Sequence, residues 1–323
     1  MLSRIAESLF WIGRYLERAE DTARLLDVQI HQHLEDATLD EAAVSATLLQ
    51  VMGVPEPEGA LELGRVTALL ALSPRQQSSI ACSLRGAREN ARGIRESLSS
   101  EFWECLNGTI VALDARIATG EQIGPHEFFR FSLFVRERVA IAAGLADATM
   151  YRDDGWQFLV LGRSIERADM TARLLAARLD DPRGEPDWPT TLRACSAYEA
   201  CLRTYRGAMS AANTLEFLIL DRNFPRSIYY ALATAEHCLL ALEQQPSRAG
   251  PGDEAARIVG RARTALGYHT AEEILEQVPR HLAEVQAACA AASHAIATSY
   301  FQRDSTLAWR TGSAPSSEAE AAR

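Results

Sequence analysis

The chain has 323 residues, 47% of them hydrophobic and 24% charged, with a formal net charge of −10 at pH 7. That composition supports a globular protein with a sizeable core, and the acidic balance excludes broad binding to nucleic acid or to an anionic membrane surface. Lysine is absent, so every positive side chain other than histidine is an arginine, a planar fork suited to carboxylate or phosphate.

Helical periodicity runs through the chain. In the first segment Leu9, Ile12, Leu16, Ala19, Ala23, Leu26 and Ile30 recur at spacings of three and four, which makes one apolar stripe with charges opposite. No stretch alternates apolar and polar residues with the β-branched enrichment of strands. Proline and glycine cluster in GVPEPEG (53–59), TGEQIGP (119–125), DDPRGEPDWP (180–189) and PSRAGPGD (246–253), where the chain should turn. Between these breaks the pattern predicts helices over 2–36, 38–51, 57–71, 76–98, 100–117, 126–149, 155–180, 189–211, 213–220, 225–244, 254–264 and 270–301. Ser99 or Ser100, and Asp153 or Asp154, are placed to cap helices; Asp221 is placed to end one and Pro225 to begin the next. Residues 311–323 are small and polar and read as a disordered tail.

Two phrases repeat. GRYLERAEDTARLL (13–26) and GRSIERADMTARLL (162–175) agree at ten of fourteen positions, 149 residues apart. A weaker echo at 148 residues aligns LSPRQQSSIACSLRGA (72–87) with LDRNFPRSIYYALATA (220–235). Two echoes nearly in register point to duplication of a unit of about 150 residues, too long for a solenoid repeat. The expected fold is all-α: two related helical bundles, 1–150 and 151–310, packed as one compact unit.

On a helix Arg14, Glu17, Asp21 and Arg24 share one side, at i,i+3 and i,i+4 spacings, with Arg18 further round. The second phrase keeps Arg163, Glu166, Arg167 and Arg173 but has Met170 where the first has Asp21. A solvated face has little reason to keep particular charge types. A buried Arg–Glu network does, because removing one partner strands the other, and so does a site that grips an anion with guanidinium forks. The network is the favoured reading of the three. A second stripe, Arg85, Arg88, Glu89, Arg92 and Arg95, reads as a paired surface helix or a second anion-binding face. Asp221 and Arg226 flank Pro225 in a further charged turn.

No metal site is expected. Glu-x-x-His and HExxH are absent, His31 and His33 lie on different helix faces, and His126 and Glu127 are adjacent and do not converge. Neither P-loop nor GxGxxG is present, and no cofactor is expected. The six cysteines, Cys82, Cys105, Cys195, Cys201, Cys238 and Cys289, form no CxxC and read as free thiols in a reducing cytoplasm. No signal peptide is expected, and the longest apolar runs fall well short of the roughly 20 residues that span a bilayer.

The phrases LFWIGRYLERAEDTARLL, ARENARGIRESLSSEFWECLN, LADATMYRDDGWQFLVLGRSIERADMTARLL and FLILDRNFPRSI resemble the bacterial alpha-E family, helical proteins of uncharacterised function named for a Glu-Arg motif. That motif would fall on Glu17-Arg18 and Glu166-Arg167. The resemblance implies a setting beside circularly permuted ATP-grasp ligases and transglutaminase-like proteins. It therefore implies an accessory protein in a peptide- or amide-bond-forming pathway, binding the ligase or its substrate. The alternative is an enzyme of the same pathway acting on a peptide or amino-acyl substrate. Its pocket would be built where Arg14, Glu17, Arg88, Arg163 and Glu166 converge, with a glutamate of burial-raised pKa as acid or base.

Overall fold

A computed structural model describes residues 3–36, 38–118, 124–180, 186–243 and 250–301. The proposed tail, 311–323, lies outside them. Every regular element among the described residues is helical, without strands. Two long helices dominate: α1 (Ser3–Glu35) and α7 (Asp154–Leu179). Between them in sequence come α2 (Glu41–Met52), α3 (Leu63–Leu72), α4 (Ile80–Gly93), α5 (Ser100–Ala118) and α6 (Pro125–Thr149). After α7 follow α8 (Trp188–Ala194), α9 (Tyr198–Thr204), α10 (Ala211–Leu220), α11 (Ile228–Leu242), α12 (Glu254–Tyr268), α13 (Ala271–Glu276) and α14 (Val278–Ile296).

α1 and α7 pack on each other at the centre. α1 is further covered by α4 and α6, and α5 bridges those two; α7 is covered by α11 and α14, and α12 bridges that pair. A long helix enclosed on several sides must be apolar, or internally neutralised, around most of its circumference. α1 accordingly buries Leu9, Phe10, Ile12, Ala19, Ala23 and Leu26, and also Glu17, Thr22 and Gln29. All six cysteines are free. No helix among the described residues is long and apolar enough to cross a membrane.

Side-chain caps start most of the helices. Ser79 accepts from the Cys82 N–H, Asp153 from Gly155 and Trp156, Ser210 from Asn213, Ser227 from Tyr230, and Asp253 from Ala256. Each such cap contributes on the order of 1 kcal/mol by satisfying a donor the first turn leaves open. Ser99 accepts from Phe102 and opens α5 as expected. Pro225 does not begin a helix. It lies in the turn before Ser227, the N-cap of α11, and Asp221 shapes that turn by accepting from Asn223 and Phe224.

The helix expected over 189–211 is broken. α8 ends with the Ala197 N–H on the Leu192 carbonyl and the Ser196 N–H on the Arg193 carbonyl, with Ser196 in the left-handed region at φ 55°. This is a Schellman closure with serine where glycine is usual, so no glycine or proline announces the stop. Arg206 repeats the device at φ 52°, ahead of Gly207. The helix expected over 270–301 is also divided. Pro279 stands in the first turn of α14, where its missing N–H is tolerated, and Gln277 separates α13 from α14.

The α1–α7 crossing rests on two glycines. A Cβ on Gly13 would run into the Leu159 carbonyl oxygen and come within 2.9 Å of the Arg163 nitrogen; a Cβ on Gly162 would run into the Phe10 carbonyl oxygen and come within 2.9 Å of its carbon. Backbone therefore lies on backbone, and no side chain can be interposed. Gly13→Ala and Gly162→Ala should each destabilise the protein by about 3 kcal/mol or more, because the obstruction is main chain and cannot rotate away. Gly144→Ala, in open space on α6, should instead stabilise by roughly 0.5–1 kcal/mol. Urea midpoints of the three variants check this contrast.

Candidate functional site

The close approach of α1 and α7 decides where their charged residues go. Around the glycine crossing each helix presents its Glu-Arg pair to the other. Arg18 donates from Nε to Glu166 Oε1 at 2.6 Å and from Nη2 to Oε2 at 3.1 Å. Arg167 donates from Nε to Glu17 Oε1 at 2.6 Å and from Nη2 to Oε2 at 2.7 Å. Each motif glutamate is thus held by the other motif's arginine, in a two-pronged geometry that a lysine could not copy.

Both carboxylates are almost fully buried, Glu17 at 1% exposure and Glu166 at 2%. One guanidinium each is not all they receive. Arg14 adds a 2.6 Å bond to Glu166 Oε2 and donates to Ser293 Oγ at 2.8 Å. Arg226, from the turn before α11, approaches Glu17 at 3.1 Å and also pairs with Glu20 at 2.7 Å and with Asp21. Glu20 further accepts from Arg24 at 2.6 Å, and Asp169 from Arg173 at 2.9 Å. Thr171 donates to the Arg226 carbonyl at 3.3 Å, fixing that turn against α7.

The electrostatics follow from these partners. Burial pushes the Glu17 carboxyl up, but Arg167 and Arg226 overcome it and hold Glu17 down at about 2. Glu166 is lowered in the same way, burial being outweighed by Arg14 and Arg18. Asp21 goes the other way, up to about 7: it is buried, and it must share Arg226 while Glu17 and Glu20 repel its charge.

The expected site residues therefore divide. Arg14, Glu17, Arg18, Glu166 and Arg167 come together at the crossing; Arg24 and Arg226 extend the same lattice, and Arg173 pairs with Asp169 apart from it. The face expected to lie away from the apolar stripe is not a solvated one, because α7 covers it. Arg88, Glu89 and Arg92 stand apart on α4. Arg88 bonds Asn107 of α5 at 3.2 Å, pairs with Glu89 and lies over the Trp103 ring, while Arg92 pairs with Glu89 at 2.7 Å. Arg85 pairs with Asp114 at 2.7 Å. This stripe ties α4 to α5 and does not join Arg14 and Glu17. Asp221 serves its turn. A glutamate of raised pKa, required by the enzymatic alternative, is not what the crossing provides.

Glu20, Asp169 and Ser293 accept from these arginines without having been singled out in the sequence. The signal for the first two was present: Glu20 and Asp169 are 149 residues apart, both acidic, each four residues before an arginine that binds it. Ser293 had no such signal. Arg163 differs from its neighbours. It makes no hydrogen bond or ion pair with the described residues and lines two cavities. One, of about 60 Å³, also touches Glu17, Glu20 and Trp156; the other, of about 250 Å³, lies between α7 and α11. Among the described residues no three His, Cys, Asp or Glu side chains gather as a metal site.

Residues 1–301 match the Alpha-E family, described as an α-helical domain with a conserved Glu-Arg motif, and the chain belongs to that family. Similar proteins include uncharacterised proteins of Mycobacterium bovis and of Mycobacterium tuberculosis strain CDC 1551. Each is 27% identical over 296 residues, covering 84% of this chain and 33% of the relative. A third, from M. tuberculosis strain H37Rv, is 26% identical over the same span. The chain thus covers about a third of the length of these relatives. No solved structure matches it.

Glu17→Gln should destabilise the fold by roughly 3–5 kcal/mol, since Arg167 and Arg226 would lose the charge that compensates them; chemical denaturation of the variant tests this. Asp21 has the opposite signature. Its folded pKa, about 7, lies above its ordinary 3.8, so its contribution is fully present below about pH 4 and is lost as pH rises through about 7. The stability difference between the native protein and Asp21→Asn should change across that interval and level off above it.

Proposed function

We propose that this Alpha-E chain is a helical accessory protein of an ATP-grasp-type ligase in a peptide- or amide-bond-forming pathway, binding the ligase or its substrate. The observation that carries this reading is the length relationship. The match occupies 33% of the mycobacterial relatives, so in them the Alpha-E region shares a polypeptide with about twice its own length of other chain. A unit built to work beside another protein body is often found joined to it, which gives the two a high effective concentration. The charged motif points the same way. Its glutamates are ionised and neutralised within the fold, where they secure a crossing and are poorly suited to moving protons near neutral pH.

The chain is further read as a duplicated pair, residues 1–150 and 151–310. The reciprocal bonds between the two Glu-Arg motifs support this reading. So does the matching order of packing, α1 with α4, α5 and α6 against α7 with α11, α12 and α14.

The test is co-expression with an ATP-grasp-type ligase from the same genome. Co-elution in size-exclusion chromatography with light scattering, and a change of about threefold or more in the ligase's ATP turnover, are the expected results. Separate elution at micromolar concentrations, with identical turnover, would overturn the reading.

A further inference from the structure

Arg163 occupies the position in its motif that Arg14 occupies in the other, three residues before the glutamate. Arg14 reaches across to Glu166. The equivalent acceptor for Arg163 is Glu17, but both Glu17 oxygens are taken by the fork of Arg167, and Arg226 presses on the same carboxylate. Ser78 stands 148 residues before Arg226, so the other half has no such competitor. Arg163 is left a largely buried cation without a bonded counter-ion. Its surroundings weaken its hold on a proton, first through burial and then through the neighbouring Arg167 charge; an arginine nevertheless stays charged in a protein. Glu17 acts on it through space without bonding it, and Asp147 acts from a distance, as an exposed carboxylate already bound by Arg152 at 2.7 Å.

The cavity of about 250 Å³ between α7 and α11 is lined by Arg163, Ser164, Arg167, Pro225, Tyr230 and Thr234, with Ala231. The Ser164 and Tyr230 hydroxyls make no hydrogen bond with the described residues, whereas Thr234 donates to the Tyr230 carbonyl at 2.9 Å. One guanidinium without a bonded counter-ion and two uncommitted hydroxyls therefore border one space. A buried cation in this condition is destabilising until an anion joins it.

We infer that this cavity binds a monocarboxylate of amino-acid to dipeptide size, its carboxylate on Arg163 and the Ser164 and Tyr230 hydroxyls. Charge selects the carboxylate. Arg167 is already neutralised by Glu17, so the cavity offers one net positive charge, and a phosphate dianion would leave excess negative charge beside Glu17. Size selects the tail: the volume is several times the roughly 30 Å³ share of one water and falls just under the roughly 300 Å³ where sites for drug-sized ligands begin. The site stands on side chains of α7 and α11 and does not rest on association with a ligase.

The test is isothermal titration of the full chain with N-acetyl-L-alanine and N-acetyl-L-alanyl-L-alanine, against their uncharged amides and inorganic phosphate. Saturable binding of an acid but not of its amide is expected. It should weaken at least tenfold in Arg163→Gln, weaken about threefold in Tyr230→Phe, and be unchanged in Arg92→Gln. Because Arg163 has no bonded partner to lose, Arg163→Gln should melt at or above the native temperature. Absence of binding by either acid, equal binding of the amides, binding of phosphate in their place, or native affinity in Arg163→Gln would overturn the inference. A markedly lower melting temperature for Arg163→Gln would overturn its premise.

Discussion

The bare-backbone crossing of α1 and α7 is the constraint on which the other features depend. Where Gly13 rests on the Leu159 carbonyl and Gly162 on that of Phe10, the helices come close enough for an arginine on one to reach a glutamate on the other without leaving the interior. A side chain at either glycine would hold the helices apart and lengthen the Arg–Glu bonds that cross between them. The glycines, which weaken an isolated helix, are therefore what permit the buried two-pronged Arg–Glu contacts between the two helices. Those contacts lie in a desolvated interior, where an unmatched charge is far more costly than in water.

The adjacency of Glu and Arg in the motif has a geometric meaning. Neighbouring residues on a helix point about 100° apart. The glutamate can therefore face into the crossing while the arginine reaches round to the partner's glutamate. Reciprocity then satisfies both buried carboxylates with the same local sequence, each by two prongs. Each glutamate also has a second arginine, and the lattice is unequal there: Arg14 completes Glu166, whereas Arg226 completes Glu17. Arg226 explains the principal difference between the two phrases. Asp21 is present in the first because Arg226 lies against it; the second has Met170, a buried apolar residue. The displaced Arg163 is the other consequence of the same substitution of partners.

Much of the local structure was legible in the chain. Helix starts were marked by Ser99 and Asp153, whose side chains accept the bonds their positions foretold. Some stops were not. Ser196 and Arg206 adopt left-handed conformations that their residue types do not advertise, where the backbone bonds that close α8 and α9 offset a modest local penalty. The repeat identified Glu17, Arg18, Glu166 and Arg167 as residues to watch. Their mutual distance was not legible, because no local rule couples positions 150 apart. The second arginine stripe illustrates the converse. Arg85, Arg88 and Arg92 looked equally suited to join a site, yet they pair with α5 and with Glu89 at the surface.

The sequence by itself determined the all-helical class, most element starts, the two Glu-Arg phrases and the asymmetry between Asp21 and Met170. Periodicity, caps and repetition are local properties and can be read in one dimension. Only the tertiary structure decided that the phrases bind each other, that Arg226 takes the place Arg163 would have had, and that Arg163 borders a cavity beside α11. The physical reason is competition. Each carboxylate oxygen accepts only a few short bonds, and which guanidinium wins depends on reach across a crossing that exists only once the helices have packed.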